Sequence, residues 1–115
     1  MTETDVDLLI VGAGPAGLTA AQYGARANMR VIAVERFAAG GQASLIEALE
    51  NFPGNFDPSE GGEAAARVRS GFDLMNDMRA QACAFGASFL DEDVTAIAHG
   101  GGGLFSFELA NQRFH

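Results

Sequence analysis

The sequence predicts an α/β fold in which a βαβ unit begins a parallel sheet and a β-meander follows, the sheet being incomplete at its C-terminal end. Three observations carry this reading. Asp7-Leu8-Leu9-Ile10-Val11 is a short, continuous apolar run that stops at glycine; an alanine-rich stretch from Ala16 to about Asn28 follows; Arg30 to Glu35 then returns to branched apolar residues. A strand, helix and strand of these lengths imply a right-handed crossover between parallel strands.

The elements are justified in order. The first run is apolar throughout rather than alternating, which suits a central strand covered on both faces. In the helix, Leu18, Ala21 and Ala25 share one packing face, and Asn28 supplies a stop. Beyond Glu35, Ala38-Ala39-Gly40-Gly41 reads as a flexible loop and Leu45 to Leu49 as a short helical turn ended by Asn51-Phe52-Pro53-Gly54. The Gly, Pro, Asp and Asn content from Asn55 to Gly62 marks a surface loop. From about Glu63 to Phe85 the residues Phe72, Met75, Met78, Ala82 and Phe85 recur at spacings of three or four, so a helix with one apolar stripe is expected, Gly71 its weak point and Gly86 its C-cap. Ala87 to Leu90, Val94 to His99 and Leu104 to Leu109 read as strands, the last two joined through Gly100 to Gly103 as a hairpin with a mobile tip.

Composition narrows the function classes. The 115 residues are 48% apolar and 19% charged, a globular balance suited to one small domain. Seven arginines, no lysine and 15 acidic residues give a net charge of −8, which disfavours nucleic acid and anionic membrane as partners. The uncharged stretch from Leu8 to Ala25 is preceded by Glu3, Asp5 and Asp7 and broken by Gly12, Gly14, Pro15 and Gly17, so neither a signal peptide nor a membrane span is expected. A cytoplasmic location is the default. The single cysteine, Cys83, has no partner for an internal disulfide or a dithiol pair, and a free thiol fits a reducing compartment.

The sharpest motif is Gly12-Ala13-Gly14-Pro15-Ala16-Gly17, a G-x-G-x-x-G placed where a strand turns into a helix. In that setting the first glycine permits the tight turn, the second lets the backbone approach a pyrophosphate, and the third lets the helix pack against the strand. The helix N-terminus adds N–H groups and positive dipole charge, and Pro15 suits a first-turn position where its missing donor costs nothing. The fold is therefore Rossmann-like. Glu35 closes the second strand about twenty residues on, where a carboxylate accepts from both ribose hydroxyls and repels a 2′-phosphate, favouring FAD or NAD over NADP at this site. Without the glycines, Glu35 would read as an exposed strand-end carboxylate. Arg36 either lies over the adenine or is solvated.

With these residues in place, the stretch from Asp5 through Gly54 resembles the start of a thioredoxin-reductase-like, FAD-dependent pyridine nucleotide-disulfide oxidoreductase. The resemblance rests on Ile10-Val11 and the glycine motif, Val34-Glu35, Gly40-Gly41-Gln42 and Glu50-Asn51-Phe52-Pro53-Gly54. After an extended loop from about Asn55 to Arg69, it continues through Ser70-Gly71-Phe72-Asp73-Leu74-Met75 and Gln81-Ala82-Cys83-Ala84-Phe85-Gly86-Ala87. Residues 1–115 thus look like the N-terminal part of an FAD/NAD(P)-binding domain. The resemblance implies that Gly12, Ala13, Gly14, Pro15 and Ala16 lie along the FAD pyrophosphate while Glu35 and Arg36 hold the adenosine end. It further implies that Gly41 and Gln42 follow the cofactor toward the flavin, that Asn51 approaches the flavin and its ribityl chain, and that Val94 is in the region contacting adenine through its backbone. For Gln42 and Asn51 the alternative is an amide bonded to loop backbone.

Three features of that family are absent from these 115 residues: an Ala-Thr-Gly strand after the meander, a Cys-x-x-Cys pair with its nicotinamide-binding domain, and a Gly-Asp segment completing the FAD site. Cys83, expected on the apolar side of a helix beside Phe85, reads as a buried, inert thiol. Electron transfer from NADPH through flavin to a protein disulfide, such as a thioredoxin-like partner, is then expected only in a complete enzyme. The other reading is a non-catalytic or truncated nucleotide-binding module, or one chain of a split flavoprotein, because an unpaired sheet edge invites self-association or a complementary chain. His99 and His115 have no ligand-spaced neighbours and read as solvated, and neither a metal cluster nor a nucleophile with an adjacent base is expected.

Overall fold

The computed structural model describes residues 5–36 and 40–110. Part of the expected flexible loop, Ala38-Ala39, and the C-terminal end with His115 lie outside the described residues. Strand β1 (Leu8–Val11), helix α1 (Pro15–Arg26) and strand β2 (Val31–Glu35) form the expected βαβ unit, with β1 and β2 parallel in the register Leu8↔Val31 to Val11↔Val34. The start of this pair is fastened by Asp7, whose carboxylate accepts from the Arg30 N–H at 2.8 Å. Strand β3 (Ser88–Asp91) adds in parallel on the far side of β2, from Ile32↔Ser88 to Glu35↔Asp91. The sheet order is therefore β1-β2-β3.

Strand β2 lies between the other two, with Val31, Ala33 and Val34 buried. Among the described residues β1 pairs with β2 alone, and Val11 is 56% exposed.

Helix α1 buries Leu18, Ala21, Gly24 and Ala25, the expected face, and stops as expected at Asn28, which takes the left-handed φ of 67°. It lies close on the sheet. A Cβ at Gly17 would fall 2.0 Å from the Gly12 carbonyl oxygen, and one at Gly24 would fall 2.8 Å from Leu8 Cδ2. Leu18 then joins Ala13, Leu49 and Met75 in a core directly beneath the glycine turn. Burying the Leu18 and Met75 side chains contributes about 1.5–3 kcal/mol each.

The middle of the chain departs from the sequence pattern. The short helical turn comes at Gly41–Leu45 as a 3₁₀ turn, earlier than the expected 45–49, with Ser44 Oγ donating to the Gly41 carbonyl at 2.6 Å. Residues 46–49 are instead drawn to neighbouring segments, because Ile46 accepts from the Gly71 N–H at 2.7 Å and Leu49 donates to the Arg69 carbonyl at 3.1 Å. The single helix expected from Glu63 to Phe85 is divided into a 3₁₀ turn, Ala64–Arg67, and helix α2, Gly71–Ala84. Ser70 causes the new start: its side chain accepts from the Asp73 N–H at 3.1 Å, an N-cap that the Ser70-x-x-Asp73 spacing encodes. Gly71 is thus a contact point rather than a weak point, since a Cβ there would lie 1.7 Å from the Ala43 carbonyl oxygen. The stripe is also narrower than expected. Met75 and Ala82 are buried and Met78 is half-buried, but Phe72 and Phe85 are exposed.

Gly86 caps α2 as expected, at φ 112°. Strands β4 (Val94–His99) and β5 (Phe105–Leu109) pair antiparallel around the Gly100–Gly103 turn and form the described part of the meander, Leu104 falling just outside β5. His99 is exposed, and its ring stacks on Phe105 at 4.6 Å. No helix among the described residues is long and apolar enough to cross a membrane.

Candidate functional site

The site is built where β1 hands the chain to α1. Gly12 donates to the Val34 carbonyl at 2.7 Å, continuing the parallel ladder, and then turns with φ 102°, a conformation that a side chain would strain. Ala13 is fully buried and its peptide is held on both sides: its N–H donates to Glu35 Oε1 at 3.0 Å, and its carbonyl accepts from the Gly40 N–H at 2.5 Å. Gly14 is the N-cap of α1, Pro15 opens its first turn, and the N–H groups of Ala16 and Gly17 fall outside the i−4 hydrogen-bond ladder. The helix dipole directs partial positive charge at this turn.

Gly14 separates packing from binding. Its φ of −76° and ψ of −169° are open to any residue, and a Cβ there would meet nothing nearer than the Gly40 carbonyl oxygen at 3.9 Å. Neither backbone strain nor internal contact demands a glycine. A bare backbone at a helix N-terminus does fit the close approach of a pyrophosphate, so the residues present suit a dinucleotide.

Gly41 closes the other side. A Cβ on Gly41 would lie 3.6 Å from Gly14 Cα and 3.8 Å from Glu35 Oε1, so Gly14, Gly41 and Glu35 converge within contact distance although widely separated in sequence. The Glu92 N–H donates to the Glu35 carbonyl at 3.1 Å, which brings the junction between β3 and β4 to the end of β2. Half-buried Val94 begins β4 two residues further on. Arg36 follows Glu35 directly and is exposed.

Gln42 and Asn51 are exposed as well. Among the described residues, no hydrogen bond holds either amide to loop backbone, the alternative left open by the sequence. Gln42 adjoins the converging glycines, and Asn51 lies in the turn after Leu49, whose side chain joins Ala13 in the core. A different asparagine has the tertiary role. Asn55, expected in a surface loop, is 4% exposed and donates through Nδ2 to the carbonyls of Leu49 at 2.8 Å and Arg69 at 3.0 Å. Its position after Pro53-Gly54 gave no sequence signal, because the Arg69 carbonyl it meets is 14 residues away.

The family model for pyridine nucleotide-disulphide oxidoreductases matches residues 6–110, which include every residue of this site. The chain belongs to that family.

Within the pyridine nucleotide-disulphide oxidoreductases it is similar to thioredoxin reductases. It is 50% identical over 95 residues to the thioredoxin reductase of Treponema pallidum, a match covering 83% of this chain and 28% of the relative. The Bacillus subtilis thioredoxin reductase is 39% identical over 94 residues, covering 82% of this chain and 26% of the relative. Among solved structures, a thioredoxin reductase from Gloeobacter violaceus superposes with a TM-score of 0.76 at 28% identity, over 94% of this chain and 33% of that one. The Lactococcus lactis enzyme superposes with a TM-score of 0.77 at 29% identity, over 94% and 32%. The chain therefore spans about a quarter to a third of the length of these relatives, and it corresponds to the FAD-binding region of this group of oxidoreductases.

Cys83 requires a correction. It is exposed on α2 rather than buried, because the helix turns Met75 and Ala82 to the core and leaves position 83 on the solvent side. Phe85 beside it is also outside the core, with the Arg26 guanidinium 5.7 Å from its ring centroid. Among the described residues no group of three or more His, Cys, Asp and Glu side chains is arranged to hold a metal ion.

Proposed function

We propose that this chain supplies the FAD-cradling portion of an NADPH-dependent disulfide oxidoreductase resembling thioredoxin reductase. The observation that carries the reading is the convergence of Gly14, Gly41 and Glu35 at the N-terminus of α1, around a glycine that the protein's own packing does not require. In this reading Gly12, Gly14 and Ala16 follow the pyrophosphate with Pro15 ordering the first turn. Ala13 acts differently from its neighbours: its N–H is committed to Glu35, so it shapes the cradle rather than donating to phosphate. Glu35 accepts from the adenosine ribose and excludes a 2′-phosphate by like charge, Arg36 and the backbone near Val94 flank the adenine, and Gly41, Gln42 and Asn51 lead toward the flavin.

Bound there, FAD supplies the two-electron redox chemistry, and the protein supplies position and electrostatics. Cys83 is the sole cysteine, so a dithiol that exchanges electrons with a thioredoxin-like partner has to come from other residues. FAD titration of the purified 115-residue chain, read by flavin fluorescence and absorbance, tests the proposal. Saturable binding of FAD, with ADP competing and 2′-phosphorylated ADP competing poorly, is the expected result; the absence of both FAD and ADP binding overturns it. NADPH-dependent reduction of a disulfide by the purified chain would contradict the assignment of the redox centre elsewhere.

A second reading, one chain of a split flavoprotein, is favoured by two unpartnered features. Strand β1 has no neighbour on its outer edge among the described residues, and Pro15, Ala16, Thr19, Ala20 and Tyr23 line an open apolar depression of about 580 Å³ on the outer face of α1. Under this reading, FAD binds only when a complementary chain is mixed in.

A further inference from the structure

We propose that Asn55 is a positioning residue for the flavin end of the site, holding the turn that carries Asn51. This rests on the reading that Asn51 approaches the flavin, and it adds a residue to which neither the glycine motif nor the family resemblance assigns a role.

The turn is closed at its base. Both Asn55 Nδ2 and the Leu49 N–H donate to the Arg69 carbonyl, and Asn55 Nδ2 also donates to the Leu49 carbonyl, so one buried amide joins both flanks of residues 50–54 to the segment preceding α2. Within the turn, the Asn55 N–H donates to the Phe52 carbonyl at 3.0 Å. Leu49 anchors the same base in the core beneath Ala13, against which Phe52 also packs. The pyrophosphate turn and the Asn51 turn therefore share one foundation, and Asn55 fastens the second to it.

The chemistry requires an amide. Two carbonyl oxygens converge on Nδ2, and a flipped side chain would set Oδ1 against both, so the network fixes the orientation. Oδ1 is buried and meets no hydrogen-bond donor among the described residues. A carboxylate would bring charge and no donor, and an apolar side chain would leave the Leu49 carbonyl unpaired. Asn51, exposed at the tip, contributes nothing to this closure and is available to a ligand.

The test compares FAD with ADP, which occupies the adenosine and pyrophosphate half but lacks the flavin. Asn55→Ala is expected to weaken FAD about tenfold while ADP affinity stays within about twofold. In an Asn51→Ala background, Asn55→Ala should bring no further loss of FAD affinity, because its effect passes through Asn51. Equal losses for FAD and ADP, or independent effects of the two substitutions, would show a merely structural role and overturn the inference. Asn55→Ser, which keeps one donor, replaces Asn55→Ala should the latter fail to fold. If the wild-type chain binds neither ligand, the function proposed above fails separately, and hydrogen exchange of residues 50–54 in the free protein decides the role of Asn55. Faster exchange in Asn55→Ala supports the clamp; unchanged exchange sinks it. Wild-type binding of ADP without FAD overturns the inference directly.

Discussion

Glu35 and Ala13 are 22 residues apart, yet the Glu35 carboxylate accepts a hydrogen bond from the Ala13 N–H at 3.0 Å. The bond joins the end of β2 to the middle of the glycine turn. It gives Glu35 a structural task, one oxygen bracing the glycine turn, beside the proposed task of accepting from an adenosine ribose. The Gly40 N–H, on the opposite side of the Ala13 peptide, completes the brace.

Glu35→Ala should therefore lower both stability and nucleotide affinity. Hydrogen bonds to charged groups contribute about 1.5–3 kcal/mol, and the part-exposed setting places this one at the lower end of that range. Glu35→Gln keeps an acceptor for Ala13 but removes the negative charge, so it should retain most of the stability while discriminating less between ADP and 2′-phosphorylated ADP. Thermal melts combined with competition titrations check both statements; a Glu35→Gln variant with undiminished discrimination would contradict the electrostatic role.

The two motif glycines make opposite predictions. At Gly17 an added Cβ would lie 2.0 Å from a backbone oxygen, which α1 can relieve only by moving away from β1, so Gly17→Ala should lose about 3 kcal/mol, the upper end of overpacking costs. At Gly14 the backbone conformation suits alanine and the nearest atom is 3.9 Å away. Gly14→Ala should leave stability unchanged or raise it by up to about 1 kcal/mol, while FAD and ADP binding fall by about tenfold or more. Denaturant unfolding and ligand titration on the same two proteins separate the effects. A Gly14→Ala protein that binds normally would remove the argument that this glycine faces a ligand.

The sequence was legible wherever local pattern and tertiary demand agree. The apolar run of β2, the alanine-rich face of α1, the stop at Asn28 and the cap at Gly86 are each set by residues a few positions apart, and each formed where expected. The tight turn from β1 into α1 was readable for the same reason, since the glycine spacing encodes its own geometry. Long-range contacts overrode local pattern elsewhere. The continuous apolar stripe through residues 63–85 suggested one helix, but the Ser70 cap and the packing of Gly71 on Ala43 start α2 eight residues later. Asn55 looked like an ordinary loop residue because its partners, Leu49 and Arg69, become neighbours only after the chain folds back. The strand order was also beyond local reading: apolar runs mark β1 and β2 alike, and the parallel pairing of β3 with β2 is set only in the folded chain.

Asp7 gives a pH prediction. The Arg30 backbone N–H, followed by the Arg30 side chain 3.5 Å away, holds its carboxyl below the ordinary value of 3.8. A carboxyl whose value is lower in the folded state contributes stability above its unfolded value and loses it as pH falls through the folded one. The loss should begin below about pH 4 and be small, because Asp7 is exposed and screened. Asp7→Asn, which retains an acceptor for Arg30 without the titration, should melt slightly lower at pH 7 and show a shallower acid limb. Melting temperatures from pH 7 down to pH 2 read the difference, and parallel acid limbs would rule the contribution out.

Cys83 supplies the last test, because its exposure reverses the expectation drawn from the helical stripe. Ellman's reagent should titrate one thiol per folded chain without denaturant, and Cys83→Ser should change stability by no more than about 0.5 kcal/mol, as for other surface substitutions. A thiol released only on unfolding would restore the buried position. Exposure does not make it a redox centre: a single thiol cannot close a disulfide within the chain, so mild oxidation should yield a covalent dimer joined through Cys83. Reduction of that dimer requires an external thiol, and bound FAD with NADPH should not accelerate it, because no second cysteine in this chain receives the electron pair.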